Sequence, residues 1–260
     1  MVSLPGYLAG RRPAGIQIVG AQVLETQSDG RATPFDATKI DGLFTRAKQL
    51  GFRTEIAGYY FAYCEMLEGL VDACRSFSFY NLATLDGGFS SANPVLTTFV
   101  LWPRQFPVGL LKNPAFARQQ RGLVDQTLSF ASRPLAPNRP VFRFVHFSVP
   151  HLPFVFDASG YNPPLNPLQT TPDDAYVRQL HYTDRLVGEL LMGLERSGAY
   201  DASHIVLLSD HGFRFGGREG GPRHIPFIVK KARQRERVDL TMAERGELLL
   251  RQVVEAACGG

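Results

Sequence analysis

Residues 204–212, HIVLLSDHG, run from a short unbroken apolar segment straight into an aspartate, a histidine and a glycine. An apolar run of this length predicts a strand buried on both faces, as in a parallel sheet. Its abrupt end places Asp210 and His211 at the strand's carboxyl terminus. Upstream, residues 173–197 repeat Val177, Leu180, Val187, Leu190, Leu191 and Leu194 at helical spacing. Thr171 or Asp173 offers an N-cap there, and Gly198 a stop. Further upstream, residues 141–149 (VFRFVHFSV) read as a buried strand running into Pro150-His151. Downstream, residues 225–229 (IPFIV) make another buried strand candidate, and residues 244–257 close as an amphipathic helix.

Strand, long helix, strand, loop, strand, helix is the grammar of an α/β domain with a mostly parallel sheet. Ligands of such sheets gather beyond the carboxyl ends of the strands. His151 follows one such end, and Asp210 and His211 follow another, so both sets are expected to open onto one edge. Towards the amino end, residues 41–51 fit a helix through Leu43, Phe44, Ala47 and Leu50, stopped by Gly51. Residues 53–58 (RTEIAG) follow as a short strand. Residues 76–138 mix aromatics with Pro94, Pro103, Pro107 and Pro114 and are expected to be loop-rich. No repeat interrupts the 260 residues, which reads as a single domain.

Composition narrows the function classes. Lys plus Arg is 28 and Asp plus Glu is 24, and residues 230–237 (KKARQRER) alone account for the excess of +4. The basic charge is therefore one local patch, and a nucleic-acid partner is unsupported. The richest apolar stretch, residues 141–156, is broken by Arg143, His146, Pro150, His151 and Pro153, short of the ~18 apolar residues of a membrane span. The opening MVSLPGYLAGRR places its charges after its apolar segment, the reverse of a signal peptide. The chain as written is thus expected neither to span a membrane nor to be exported. Cys64, Cys74 and Cys258 form no CxxC pair. Cys64 and Cys74 could pair in an oxidising compartment, but two free buried thiols are the expectation.

Asp210 and His211 offer a carboxylate oxygen and an imidazole nitrogen, both of which ligate zinc at about 2.0–2.2 Å. This mixed donor set favours zinc or manganese over calcium, which prefers oxygen alone. Gly212 allows the sharp turn that lets the two converge. The competing structural reading is a turn aspartate beside an incidental histidine. Asp184 lies on the apolar stripe of its helix, so it is expected to be buried and to hold a structural partner. Arg214, Arg218 and Arg223 read as a solvated loop, and His146, His181 and His204 as structural.

The longer context is informative. Residues 176–212 resemble the core of the sulfatase-like branch of the alkaline phosphatase superfamily. There a helix of the form Y-x-x-x-x-x-x-x-D-x-x-x-G-x-x-x-x-x-L leads into a strand ending S-D-H-G. Residues 144–154 (FVHFSVPHLPF) are similar to the family's strand running into P-H-x-P-F, and residues 224–229 (HIPFIV) to a later strand. Residues 3–11 (SLPGYLAGR) resemble its short P-x-x-L-x-G-R helix, and residues 44–54 its helix-to-strand segment. The matches keep their order along nearly the whole chain.

The resemblance implies an alkaline-phosphatase-like three-layer α/β sandwich with a mostly parallel central sheet, here lacking its N-terminal strand. It implies a metal pair in Asp210 and His211, and an anion-contacting role for His151. His224 would hold the anion or a second metal, as in phosphoethanolamine-transferase relatives. The substrate would be a small sulfate or phosphate ester, hydrolysed or transferred. In the relatives the nucleophile lies a few residues before the 3–11 motif, and the remaining acidic ligands tens of residues before it. The signature C-x-P-S-R is absent, and Ser3 stands two or three positions too late. The chain therefore reads as a fragment of a metal-dependent sulfatase-like or phosphoryl-transferring domain. The alternatives are a non-catalytic anion- or metal-binding remnant of that fold, and an unrelated α/β protein. Relatives are often membrane-anchored with this domain outside the cytoplasm, which a Cys64–Cys74 bridge would fit.

Overall fold

The computed structural model describes residues 3–78 except 12, 20, 21 and 28, residues 114–162 except 137, and residues 172–212, 225–237 and 246–258. Strand β4 (Arg53–Tyr60) is the centre of the fold. On either side of it lie β5 (Ala73–Ser78) and β6 (Val141–His146), both parallel to it, in the order β5-β4-β6. Its six inner residues are all buried, as a strand flanked and covered on both faces requires. Strand β9 (Ile205–Leu208) pairs antiparallel with β10 (Phe227–Lys230). A small meander, β1 (Gly15–Val19), β2 (Gln22–Thr26) and β3 (Ala32–Pro34), forms a separate antiparallel sheet, and β7 (Phe156–Asp157) and β8 (Gly160–Tyr161) a short hairpin.

Two helical layers cover the parallel sheet. On one face α1 (Ser3–Ala9), α2 (Leu43–Gln49) and α6 (Gly246–Cys258) contribute Leu4, Tyr7, Leu8, Leu43, Phe44, Leu250 and Val254 to one core with Ile56 of β4. Phe44 is 1% exposed and meets Phe142 and Phe144 of β6 edge-on, at ring separations of 5.1 and 6.4 Å. Its truncation to alanine would cost about 3–5 kcal/mol. On the other face α4 (Pro114–Ala131) sets Leu123 against Tyr59 and Phe77. Helix α5 (Pro172–Arg196) sets Tyr182 and Leu186 against Val124, Val149 and Phe156.

Several expectations are corrected here. Residues 76–138 are not simply loop-rich, because α4 occupies 18 of them. Helix α5 turns Ala175, Gln179, Tyr182 and Leu186 inward, while Val177 and Leu180 are 49% and 44% exposed. Asp184 is consequently exposed rather than buried. Strands β9 and β10 are half-buried rather than sealed on both faces, and Ile228 is 58% exposed. Cys64, on α3 (Tyr63–Met66), and Cys74, on β5, form a disulfide instead of standing as free thiols. The bridge closes a short loop, which in the chain-entropy picture contributes about 3 kcal/mol. Among the described residues no strand pairs with the outer edge of β6 or of β9. Phe142, Phe144, Val206 and Leu208 from those two strands nevertheless pack on the same core. No helix among the described residues is long and apolar enough to cross a membrane.

The carboxylate that ties the layers together is Glu55 on β4. It accepts from Arg53 Nε at 2.7 Å and from Arg143 Nε at 2.8 Å. Arg143 Nη1 in turn donates to the Ala131 and Arg133 carbonyls at the end of α4. Burial alone would raise the Glu55 pKa, but the two guanidinium groups outweigh it and hold the carboxyl below its ordinary value. Such a carboxylate contributes stability that is complete above the ordinary glutamate range and is lost as the pH falls through the depressed value. Glu55→Gln is expected to cost about 2 kcal/mol at neutral pH in denaturant unfolding, a deficit that narrows at about pH 3. An equal deficit at both pH values would show that the charge of Glu55 is irrelevant.

Candidate functional site

Register decides what reaches the site. Gly58 of β4 lies opposite His146, the last residue of β6. A Cβ on Gly58 would fall 2.3 Å from the Tyr63 ring, so glycine is what admits that ring beside the sheet. Tyr63, fully buried, lies edge-on to His146, with its Oη 2.8 Å from His146 Nδ1. His146 also hydrogen-bonds the Tyr59 backbone, and as a neutral imidazole it can accept the Tyr63 hydroxyl proton at Nδ1. Burial lowers the His146 pKa to about 4, with the charges of His151 and His211 acting in the same direction. The Asp210 carboxylate and the Tyr59 backbone work against that shift. Tyr63 titrates well above its ordinary value, first from burial and then from the Asp210 charge.

His146 closes β6, while His151 follows β6 and Asp210 and His211 follow β9, and all three act electrostatically on His146. The turn after β9 is fixed by two contacts. Ser209 Oγ donates to the His211 carbonyl at 2.7 Å, and Tyr7 Oη of α1 lies 3.5 Å from the Ser209 carbonyl oxygen. Asp210 Oδ2 and His211 Nε2 are 3.7 Å apart, and both side chains are about a fifth exposed. His211 Nδ1 lies 2.8 Å from the Gly212 carbonyl, and His151 Nδ1 lies 2.9 Å from the Leu152 carbonyl. With Nδ1–H committed to a carbonyl, each ring presents Nε2 as the free acceptor.

The donor chemistry fits a divalent ion in part. Two ligands each about 2.0–2.2 Å from one ion stand ~3.5 Å apart in tetrahedral geometry, near the separation found here. No group of three or more His, Cys, Asp or Glu side chains able to hold one ion occurs among the described residues. His224, Arg214, Arg218 and Arg223 lie outside the described residues. His181 is exposed, and His204 lies just before β9, at the end of that strand remote from Asp210. Residue-level reading missed Tyr63 and assigned His146 a purely structural role. The available signal was alternation: Phe142, Phe144 and His146 share one side of β6, so the histidine faces the core at the site's end.

A family model described as Sulfatase matches residues 2–243. The chain belongs to the sulfatase family. Among solved structures this sulfatase-family chain is similar to Ps i-CgsB in complex with k-i-k-neocarrahexaose, at 13% identity and a TM-score of 0.52. The alignment covers 99% of this chain and 62% of that one, so the chain spans less than two thirds of the neighbour's length. A second structure of Ps i-CgsB matches at 14% identity and a TM-score of 0.51, over the same shares of the two chains. The lipoteichoic acid synthase LtaP from Listeria monocytogenes matches at 15% identity and a TM-score of 0.42, over 76% of this chain and 47% of that one. A search of the curated proteins gives no match. The Ps i-CgsB likeness agrees with an alkaline-phosphatase-like α/β fold whose parallel part is β5-β4-β6.

His146 is expected to remain neutral from pH 8 to pH 5, its ring Hε1 resonance moving only near its depressed pKa of about 4. Because an unfolded histidine takes up its proton near 6.5, stability is expected to fall as the pH drops from that value towards 4. Tyr63→Phe strands the buried Nδ1 and is expected to cost about 1–3 kcal/mol. An Hε1 resonance that titrates in the ordinary histidine range would refute the buried, neutral assignment.

Proposed function

We propose that residues 1–260 form a single sulfatase-like domain that binds a small sulfate or phosphate ester at the carboxyl edge of β6 and β9 and hydrolyses or transfers its anionic group. What supports this reading is that Asp210, His211 and His151 all act electrostatically on His146 at the end of β6, with Nδ1 of His151 and of His211 committed to a carbonyl. Asp210 and His211 would hold a divalent ion, zinc or manganese in preference to calcium, since one donor is nitrogen. Such an ion supplies Lewis-acid polarisation of an ester oxygen when bound. His151, exposed on its loop, contacts the anionic oxygens, and His224 is assigned to the same anion. Donors aimed at the transferring group lower the barrier by stabilising the charge that spreads over its oxygens. His146, kept neutral by burial, adds no charge to the floor of the site.

The described residues supply two of the metal donors and no nucleophile at this edge. Among the described residues the outer edges of β6 and β9 have no strand partner, and both strands pack on one core, which supports a further strand between them that brings the remaining acidic ligands and the nucleophile. The Cys64–Cys74 bridge supports an oxidising compartment. The two-donor set equally favours a second reading, binding of metal and anion without turnover.

Manganese binding followed by calorimetry, together with release of nitrophenol from aryl sulfate and aryl phosphate, tests this. Asp210→Ala and His211→Ala are each expected to weaken manganese binding by about 100-fold or more. Turnover of either ester that is lost in both variants identifies a catalyst and its chemistry. Metal-dependent sulfate or phosphate binding with no turnover identifies the binding reading. Wild-type metal affinity in both variants contradicts the proposal.

A further inference from the structure

We infer that Gln179, in the middle of α5, is the positioning residue that sets the direction of His151. The inference rests on the reading of His151 as an anion contact. Gln179 is 0% exposed and lies on the inward stripe of α5 with Ala175, Tyr182 and Leu186. An uncharged amide in an apolar stripe is costly to bury unless its polar atoms are paired, and this one uses both ends. Its Nε2 donates to the His151 carbonyl at 2.6 Å. Its Oε1 accepts from the Val155 amide at 2.9 Å and from the Phe156 amide at 3.3 Å. One side chain thus spans the loop from its exposed tip to the start of β7.

A second buried amide holds the near side of the same loop. Gln120 of α4 is 3% exposed, and its Nε2 donates to the Ser148 carbonyl at 3.1 Å. That carbonyl also accepts the His151 amide at 3.1 Å. The backbone of His151 is therefore fixed on both sides, by its own N–H through Ser148 and by its own C=O through Gln179. With the backbone fixed, the bond from His151 Nδ1 to the Leu152 carbonyl leaves the ring one preferred direction for Nε2. Buried amides on two helices hold an exposed side chain in place, and a misplacement of about 1 Å at such a contact can cost about 100-fold.

The test is titration of the zinc-supplemented protein with sodium sulfate at constant ionic strength. It is followed through the ring Hε1 resonances in the wild type, His151→Ala, Gln179→Leu and Gln179→Glu. Gln179→Glu keeps an acceptor for Val155 and Phe156 but loses the donor to His151, so it separates holding the loop from aiming the histidine. Both Gln179 variants are expected to bind sulfate about tenfold more weakly and to shift and broaden the His151 resonance. If Gln179→Leu does not fold, Gln179→Glu decides alone. Weakened binding in His151→Ala beside wild-type affinity in the folded Gln179 variants, with only their melting temperatures lowered, overturns the positioning role by itself. Wild-type affinity in His151→Ala, or no sulfate binding by the wild-type protein, overturns the reading of His151 and the inference with it.

Discussion

The parallel pairing of β4 with β6 runs in register from Arg53 opposite Val141 to Gly58 opposite His146, and the site depends on it. One end of this ladder is locked electrostatically, where Glu55 receives Arg53 from its own strand and Arg143 from the next. The other end is packed rather than charged. There the missing side chain of Gly58 admits Tyr63, and Tyr63 meets His146. A shift of one residue in register would turn Arg143 away from Glu55 and His146 away from Tyr63 together, because side chains alternate faces along a strand. The buried ion pair and the buried histidine thus specify the same alignment from opposite ends.

What leaves the sheet at that end follows from the alignment. Beyond β6 the chain enters a loop whose polar backbone is satisfied by glutamines from α4 and α5, and His151 stands at its tip. Beyond β9 the chain turns at once, held by Ser209 within the turn, and Asp210 and His211 emerge side by side. The buried floor is electrically quiet, with His146 neutral and Tyr63 protonated. The polar side chains that solvent reaches at this end are Asp210 and His211, both partly exposed.

Much of this was legible in the sequence because strong local signals and global fold agree there. The apolar run at residues 141–149, the run leading into Asp210-His211-Gly212, and the glycine stops at Gly51 and Gly198 place β6, β9, α2 and α5 within a few residues. The face of α5 was misread. Leucines and valines at helical spacing suggested one stripe, yet the buried stripe contains Gln179, whose amide is satisfied only by a loop distant in sequence. Helix α4 was missed because its arginines, glutamines and glycine dilute the apolar period among residues dense in proline. The Cys64–Cys74 bridge could not be read from spacing, since only the return of β5 beside β4 brings the two cysteines together.

The central claim is that the ends of β6 and β9 form one site. Paramagnetic broadening of the histidine ring Hε1 resonances on substoichiometric addition of Mn²⁺ tests it most directly, because the effect falls steeply with distance from the bound ion. The account requires His211 to broaden first and His151 and His146 to follow, while His204, near the amino end of β9, and His181, on the exposed side of α5, stay sharp. Broadening of His204 or His181 ahead of His151, or broadening confined to His211, would contradict it.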